Sequence, residues 1–422
     1  MGDGKLQRVL RGNPFWKFRY GEEHCKVALL LSAILMVPLR DVVAVCLDSY
    51  FPPVFARVVG YGFLGTCFFL FFFIPFLCHL KCKQDMVLLG GWVLCGLLLF
   101  SLRRPEEINA GYGLLLAKSI LMAFPYYIVA RSLKDYGMLE TALYRSSFVI
   151  NIAALIAMRY RVTLDGGYSM GMAYAVLPGA IIASRMFLRW PSILVGLNAG
   201  ASLFALIYCG TRGPAVCYVL FCIYEMICHR MLVKKNVIKK ILLVGAVGLM
   251  GLAGVTVVLQ VKFSPEEYIE NNRFFVLARN DHLFTESQRD RIRMAGWETL
   301  EEHPFLGVGL LEDRVQILQR GNFLWKDKEK GYEGYYSHFV FLDWILEYGF
   351  FVGILISLLA LCAVHKIFFM PQGSNKSCLE IFFFSGCVPL LFSGIWHEER
   401  LFYIVLGMLA SIVCTRGQLR EG

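Results

Sequence analysis

The chain has 422 residues, 57% of them hydrophobic and only 18% charged, with a mean hydropathy of +0.57. So few charged residues cannot cover a soluble protein of this size, which excludes an ordinary soluble domain and points to a polytopic membrane protein. The net charge of +10 is carried without any basic run interleaved with aromatics, so nucleic acid is set aside as a partner and membrane lipids remain.

Residues 1–26 are polar, basic and aromatic and lack the short apolar core and small-residue cleavage site of a removable signal. They are expected to form a basic cytoplasmic N-terminus. Twelve apolar segments long enough to cross the hydrocarbon core as helices follow, at 27–47, 56–79, 85–102, 113–131, 138–158, 170–186, 191–208, 214–232, 241–260, 338–364, 379–395 and 400–415. None shows the alternation that a lipid-facing barrel strand requires. The predicted fold is therefore an all-α polytopic membrane protein with about 12 transmembrane helices. Helices 1–9 occupy 27–260, one large, partly helical outer loop occupies 261–337, helices 10–12 occupy 338–415, and 416–422 is a cytoplasmic tail.

Lys and Arg placement sets the orientation, because short cytoplasmic loops are enriched in both. Lys5, Arg8, Arg11, Lys17 and Arg19 precede the first span, and Arg230, Lys234, Lys235, Lys239 and Lys240 follow the eighth, so both termini are expected inside and the long loop outside. The outer loops and helix ends carry Arg40, Arg57, Arg103, Arg104, Arg159, Arg161, Arg212 and Arg400, with no lysine among them. Guanidinium groups fork onto phosphate in a way an ammonium cannot, so this bias suggests oxyanion binding on the outer side. The 14 cysteines avoid the long loop and sit in or beside the spans, as Cys67, Cys95, Cys217, Cys222 and Cys387 do, where they behave as small apolar residues. Cys78 and Cys82 match no zinc spacing, and no metal site is expected.

Within the loop, Ser264-Pro265-Glu266-Glu267 is a capping box with proline at the first helical position and predicts a helix toward Arg279. Thr285-Glu286-Ser287-Gln288 repeats the signal and opens a second helix with Arg289, Arg291, Arg293 and Trp297, which His303-Pro304 ends. Arg289 and Arg293 share one face of it, while Arg291 points elsewhere. This helix reads either as an amphipathic surface helix or as a lid whose arginines face an anionic head group. Residues 310–336 carry Trp325, Lys326, Lys328 and Lys330 but no readable pattern.

Three separated stretches carry a family resemblance: Cys209-Gly210-Thr211-Arg212-Gly213, then Arg289 through His303-Pro304-Phe305-Leu306-Gly307-Val308-Gly309, then Ser337-His338-Phe339 with Glu347-Tyr348-Gly349. In this order, with one large loop before the tenth helix, they resemble the O-antigen ligase and polymerase superfamily. The resemblance implies a metal-independent, cofactor-free glycosyltransferase of the bacterial inner membrane with its site on the periplasmic side. Its donor is a glycan on undecaprenyl diphosphate, and its acceptor, in the ligase reading, is a sugar hydroxyl of lipid A core. The family's functional core falls on Arg212, Arg289 and His338. Two positions depart from the pattern, with Phe339 where asparagine is usual and Arg293 where an aromatic is usual.

These residue types suit the chemistry on their own terms. Arginine holds a diphosphate leaving group at any pH, and a neutral imidazole near its ordinary pKa of about 6.5 can take the proton of an acceptor hydroxyl. His338 is thus the candidate catalytic residue, and Arg212, Arg289, Arg291 and Arg293 are candidates for binding the diphosphate. Asp343 and Glu347, one helical turn apart, join Arg40 and Lys118 as candidate supporting residues. Plainer readings stand beside these: His338 or His397 as helix-end residues, Arg212 as an interfacial anchor, and His282 and His303 as solvated loop residues. Polymerase and transporter readings also remain, although the chain shows no internal repeat of the kind many transporters carry.

Overall fold

A computed structural model describes residues 22–48, 53–68, 87–88, 90–94, 123–161, 170–190, 192–209, 211–228, 288–321, 336–392 and 394–421. The described residues are helical and contain no strand, as the absence of alternation predicts. In chain order the helices are α1 (Glu22–Asp48), α2 (Pro53–Phe68), α3 (Phe124–Arg131), α4 (Tyr136–Arg161), α5 (Met170–Arg189), α6 (Ile193–Tyr208), α7 (Arg212–Cys228), α8 (Gln288–Glu302), α9 (Asp313–Arg320), α10 (Val340–Phe368), α11 (Ser374–Phe382) and α12 (Arg400–Glu421). Three stretches among them are long and apolar enough to cross a membrane: Tyr136–Ala157, Met170–Arg189 and Val340–Phe368. Shorter apolar helices run over Ile193–Leu206 and Arg400–Val413. The helices predicted at 241–260 and from Ser264 toward Arg279 lie outside the described residues.

The bundle core joins α1, α3, α4, α5, α7, α11 and α12 through Leu29, Tyr126, Leu143, Ile181, Phe221, Phe382 and Ile404, all buried. In lipid there is no hydrophobic drive between apolar helices, so close backbone approach and internal polar bonds must hold such a bundle. Gly407 supplies one such approach, since a Cβ there would lie 2.3 Å from the Tyr127 carbonyl oxygen on α3.

Polar bonds supply the rest, at the helix ends expected to face the cytoplasm. Arg185 is fully buried and donates to Glu225 on α7 (2.6 Å from Nε) and, on α11, to Glu380 (2.6 Å) and the Ser377 carbonyl (2.8 Å). Arg189 pairs with Glu140 and donates to the Tyr144 hydroxyl at 2.8 Å, tying α5 to α4. Lys26 joins Glu23 to the Ser132 carbonyl between α3 and α4. Each of these cations meets at least one carboxylate, which offsets the large cost of taking ions out of water.

Two predicted spans are not plain helices. The segment 379–395 begins as α11, passes through a π turn at Phe383–Cys387 and a 3-10 turn at Val388–Leu391, and then becomes irregular. The segment 338–364 is helical from Val340 but breaks at Gly349, whose φ of 78° and ψ of 169° no helix contains. Before the break, Leu342, Asp343, Trp344, Leu346 and Glu347 are buried. After it, Phe350, Phe351, Val352, Leu355 and Leu358 are exposed on the protein surface.

Candidate active site

The break in α10 is the docking point for the loop. α8 ends at Glu302, and His303-Pro304 stops it as predicted, since proline disfavours a helical conformation in the residue before it. The chain then folds back onto α10. Val308 N donates to the Leu346 carbonyl (2.8 Å), Gly309 N to the Glu347 carbonyl (2.9 Å), and Phe350 N to the Pro304 carbonyl (2.8 Å). Breaking the helix frees these groups, and the loop segment takes them up. Only glycines permit the contact. A Cβ on Gly349 would stand 2.0 Å from the Phe305 carbonyl oxygen, and one on Gly307 (φ 67°) would stand 2.4 Å from Gly349 N. His303–Gly309 and Glu347-Tyr348-Gly349, separate stretches of the sequence, are one structural unit.

His338 sits on the turn that enters α10, with a φ of 59° that non-glycine residues seldom adopt. Its neighbours hold it there. Ser337 N donates to Asp343 Oδ1 (3.1 Å), while the Ser337 hydroxyl donates to the Phe339 carbonyl (2.9 Å) and accepts from Phe339 N (3.1 Å). The imidazole lies against the Tyr336 ring with 4.0 Å between centroids, and the Arg314 guanidinium lies 5.7 Å from the centroid of that ring. The Tyr336 ring thus contacts both the partly exposed His338 and the buried Arg314.

Arg314 belongs to a buried set of titratable groups: Asp313 and Arg314 from α9, Asp343 and Glu347 from α10, and His397 from the turn before α12. Glu347 Oε1 accepts from His397 Nε2 (2.6 Å) and from Leu311 N (3.2 Å), so one carboxylate ties the loop, α10 and the final turn together. Burial and the nearby Arg314 push the His397 pKa well below its ordinary value, so a neutral ring donates its N–H to Glu347. Burial and the neighbouring Glu347 and Asp343 raise the Asp313 carboxyl well above the carboxylate range.

The sequence-predicted residues divide into two groups. Asp343 and Glu347 are both buried near the His338 turn, Asp343 being bonded to Ser337 N. Arg212 is exposed at the first position of α7, which packs against α5 and the π turn after α11 rather than being carried on the loop unit. Arg291 and Arg293 are exposed on α8, and Arg293 lies 3.9 Å from Asp290. Arg40 donates to Asp41 at 2.6 Å. The Arg289 side chain and Lys118 lie outside the described residues. Asp313, Arg314 and the role of His397 were not legible in the sequence. Adjacent opposite charges within a polar loop read as solvated, and no local pattern links His397 to Glu347, 50 residues away.

Residues 197–357 match the family described as O-Antigen ligase. A curated relative, the ComP-specific O-oligosaccharyltransferase of Acinetobacter baylyi, is 33% identical over 140 residues, which is 32% of this chain and 24% of that protein. The aligned part thus spans about a quarter of the relative's length. No solved structure matches. The matched segment takes in Arg212, Arg289, the docked His303–Gly309 turn, His338 and the Gly349 break. Over residues 197–357, then, this chain is similar to the O-antigen ligase family.

Proposed function

We propose that this chain is a metal-independent ligase-type glycosyltransferase of the bacterial inner membrane. In this reading it moves a glycan from undecaprenyl diphosphate to a sugar hydroxyl of lipid A core at the periplasmic face. The acceptor oxygen bonds to the anomeric carbon, the bond from that carbon to the diphosphate oxygen breaks, and the hydroxyl proton passes to the His338 imidazole. Arg212 and the α8 arginines Arg289, Arg291 and Arg293 stabilise the departing diphosphate. The reading rests chiefly on His338, which is partly exposed, lies inside the family segment, and is held by the Tyr336 ring and the Ser337–Asp343 bond.

A second reading, in which the acceptor is a protein hydroxyl, draws support from the name of the Acinetobacter relative, an O-oligosaccharyltransferase specific for ComP. The test is purified protein in liposomes with diphosphate-linked glycan and, in separate reactions, lipid A core, a hydroxyl-bearing protein acceptor, or no second acceptor. Glycan on the core supports the first reading, and glycan on the protein alone supports the second. Elongated carrier-linked glycan without either acceptor would indicate a polymerase, and no covalent product in any reaction counts against transfer altogether.

A further inference from the structure

The loop turn beside Gly349 is apolar where a solvated loop would be polar. Leu306 is 87% exposed and Phe305 66%, and Phe305 stacks on Phe351, itself 67% exposed, with 6.0 Å between ring centroids. The exposed apolar surface does not end there. It runs on along α10 through Val352, Leu355, Leu358, Leu359 and Leu361, the face of a helix apolar enough to span a membrane.

Length places the membrane edge. Residues 350–368 extend about 28 Å at ~1.5 Å per residue, close to the ~30 Å hydrocarbon thickness, so the part of α10 beyond the break suffices to cross the bilayer. The part before the break is buried against the loop and carries Asp343 and Glu347, which suits a position outside the hydrocarbon. The break therefore marks the boundary on the loop's side. Phe305 and Leu306 lie at that boundary, because Phe350 N is bonded to the Pro304 carbonyl. Irregular backbone is tolerated at such a level only where its polar groups are met within the protein. Here Pro304 has no N–H, Gly307 N donates to the His303 carbonyl, and Val308 N and Gly309 N donate to α10, which leaves the Phe305 and Leu306 N–H groups for water at the interface.

We propose that the 304–306 turn is a membrane foot, with Phe305 and Leu306 seated among the acyl chains of the leaflet on the loop's side. The occupant is bilayer lipid, since the patch continues the lipid-facing surface of α10. The hydrogen bonds from 304–309 to α10 then hold the His338 turn, at the head of the same helix, at a fixed height above the hydrocarbon.

The test places a nitroxide on an encoded keto amino acid at position 306 of the full chain in phospholipid vesicles, with position 301, exposed on α8, as reference. No donor lipid is present. Collision with oxygen relative to a water-soluble nickel complex should be several-fold higher at 306 than at 301. Equal ratios at the two positions overturn the proposal, as does shielding of 306 from both reagents, which would mean a second copy covers the patch. Burial of 306 only after carrier-linked donor is added would assign the patch to the prenyl chain and equally overturn it. A second measurement on the unsubstituted chain uses phospholipids with a photoreactive acyl chain. Crosslinks are expected on the peptide containing Phe305 and Leu306, and crosslinks confined to 350–368 would contradict the foot.

Discussion

Replacing Gly349 with alanine should detach the loop from α10. The residue holds φ 78° and ψ 169°, a conformation essentially reserved for glycine, and the added Cβ would meet the Phe305 carbonyl oxygen at 2.0 Å and Gly307 N at 2.8 Å. These contacts are backbone, so no side chain can rotate out of the way. Strain alone costs about 1–3 kcal/mol. Relieving it by undocking gives up the bonds from Val308, Gly309 and Phe350, each worth on the order of 1 kcal/mol net. Strain and undocking are alternatives, so the local docking loss is about 3 kcal/mol. At about 1.4 kcal/mol per tenfold, hydrogen exchange of the peptide spanning 303–311 should accelerate by roughly a hundredfold or more. Gly373, whose Cβ would meet nothing within 4 Å, supplies the control, and Gly373→Ala should exchange as wild type. Wild-type protection of 303–311 in Gly349→Ala would refute the docking account.

Three further substitutions probe other parts of the molecule. Arg185→Ala leaves Glu225 and Glu380 without their buried guanidinium, a loss of about 3–5 kcal/mol that should lower the thermal midpoint in detergent, and adding Glu225→Gln and Glu380→Gln should recover part of it. His397→Ala removes a donor from the buried Glu347 carboxylate and should cost about 1.5–3 kcal/mol, whereas His397→Gln, which keeps an N–H, should cost less; equal midpoints would contradict the assigned bond. Burial raises the Glu23 pKa, but hydrogen bonds from Lys134 N, Lys26 and Asp135 N outweigh it and leave the carboxyl below its ordinary value of 4.5. A depressed carboxyl stabilises the fold above that value and loses the contribution as pH falls through the folded pKa. Glu23→Gln should therefore unfold more easily than wild type at neutral pH, by at most about 1 kcal/mol given its partial exposure, and the gap should close in acid.

Much of the helix framework was legible because apolar length is a local property. The segments predicted at 138–158 and 191–208 appear as Tyr136–Arg161 and Ile193–Tyr208, and His303-Pro304 ends α8 where proline chemistry says it must. The break in α10 was not legible. Glu347-Tyr348-Gly349 sits between apolar runs, and a single glycine is tolerated within a helix; only the docking of residues 304–309, some 40 positions earlier, makes the break favourable. Asp343 and Glu347 stand out in the sequence because ionisable groups in an apolar run are expensive. Their partners Arg314 and His397 come from segments that touch α10 only in three dimensions. Phe305 and Leu306 were read as part of a motif, and their exposure emerged only with the fold.

In the proposed reaction His338 takes the acceptor proton while arginines hold the donor diphosphate. The most direct test is His338→Ala in liposomes, with donor binding measured separately from transfer in the same preparation. The account predicts that transfer falls to background while carrier-linked glycan binds as it does to wild type. Loss of donor binding in His338→Ala, or transfer that persists without the imidazole, would contradict it.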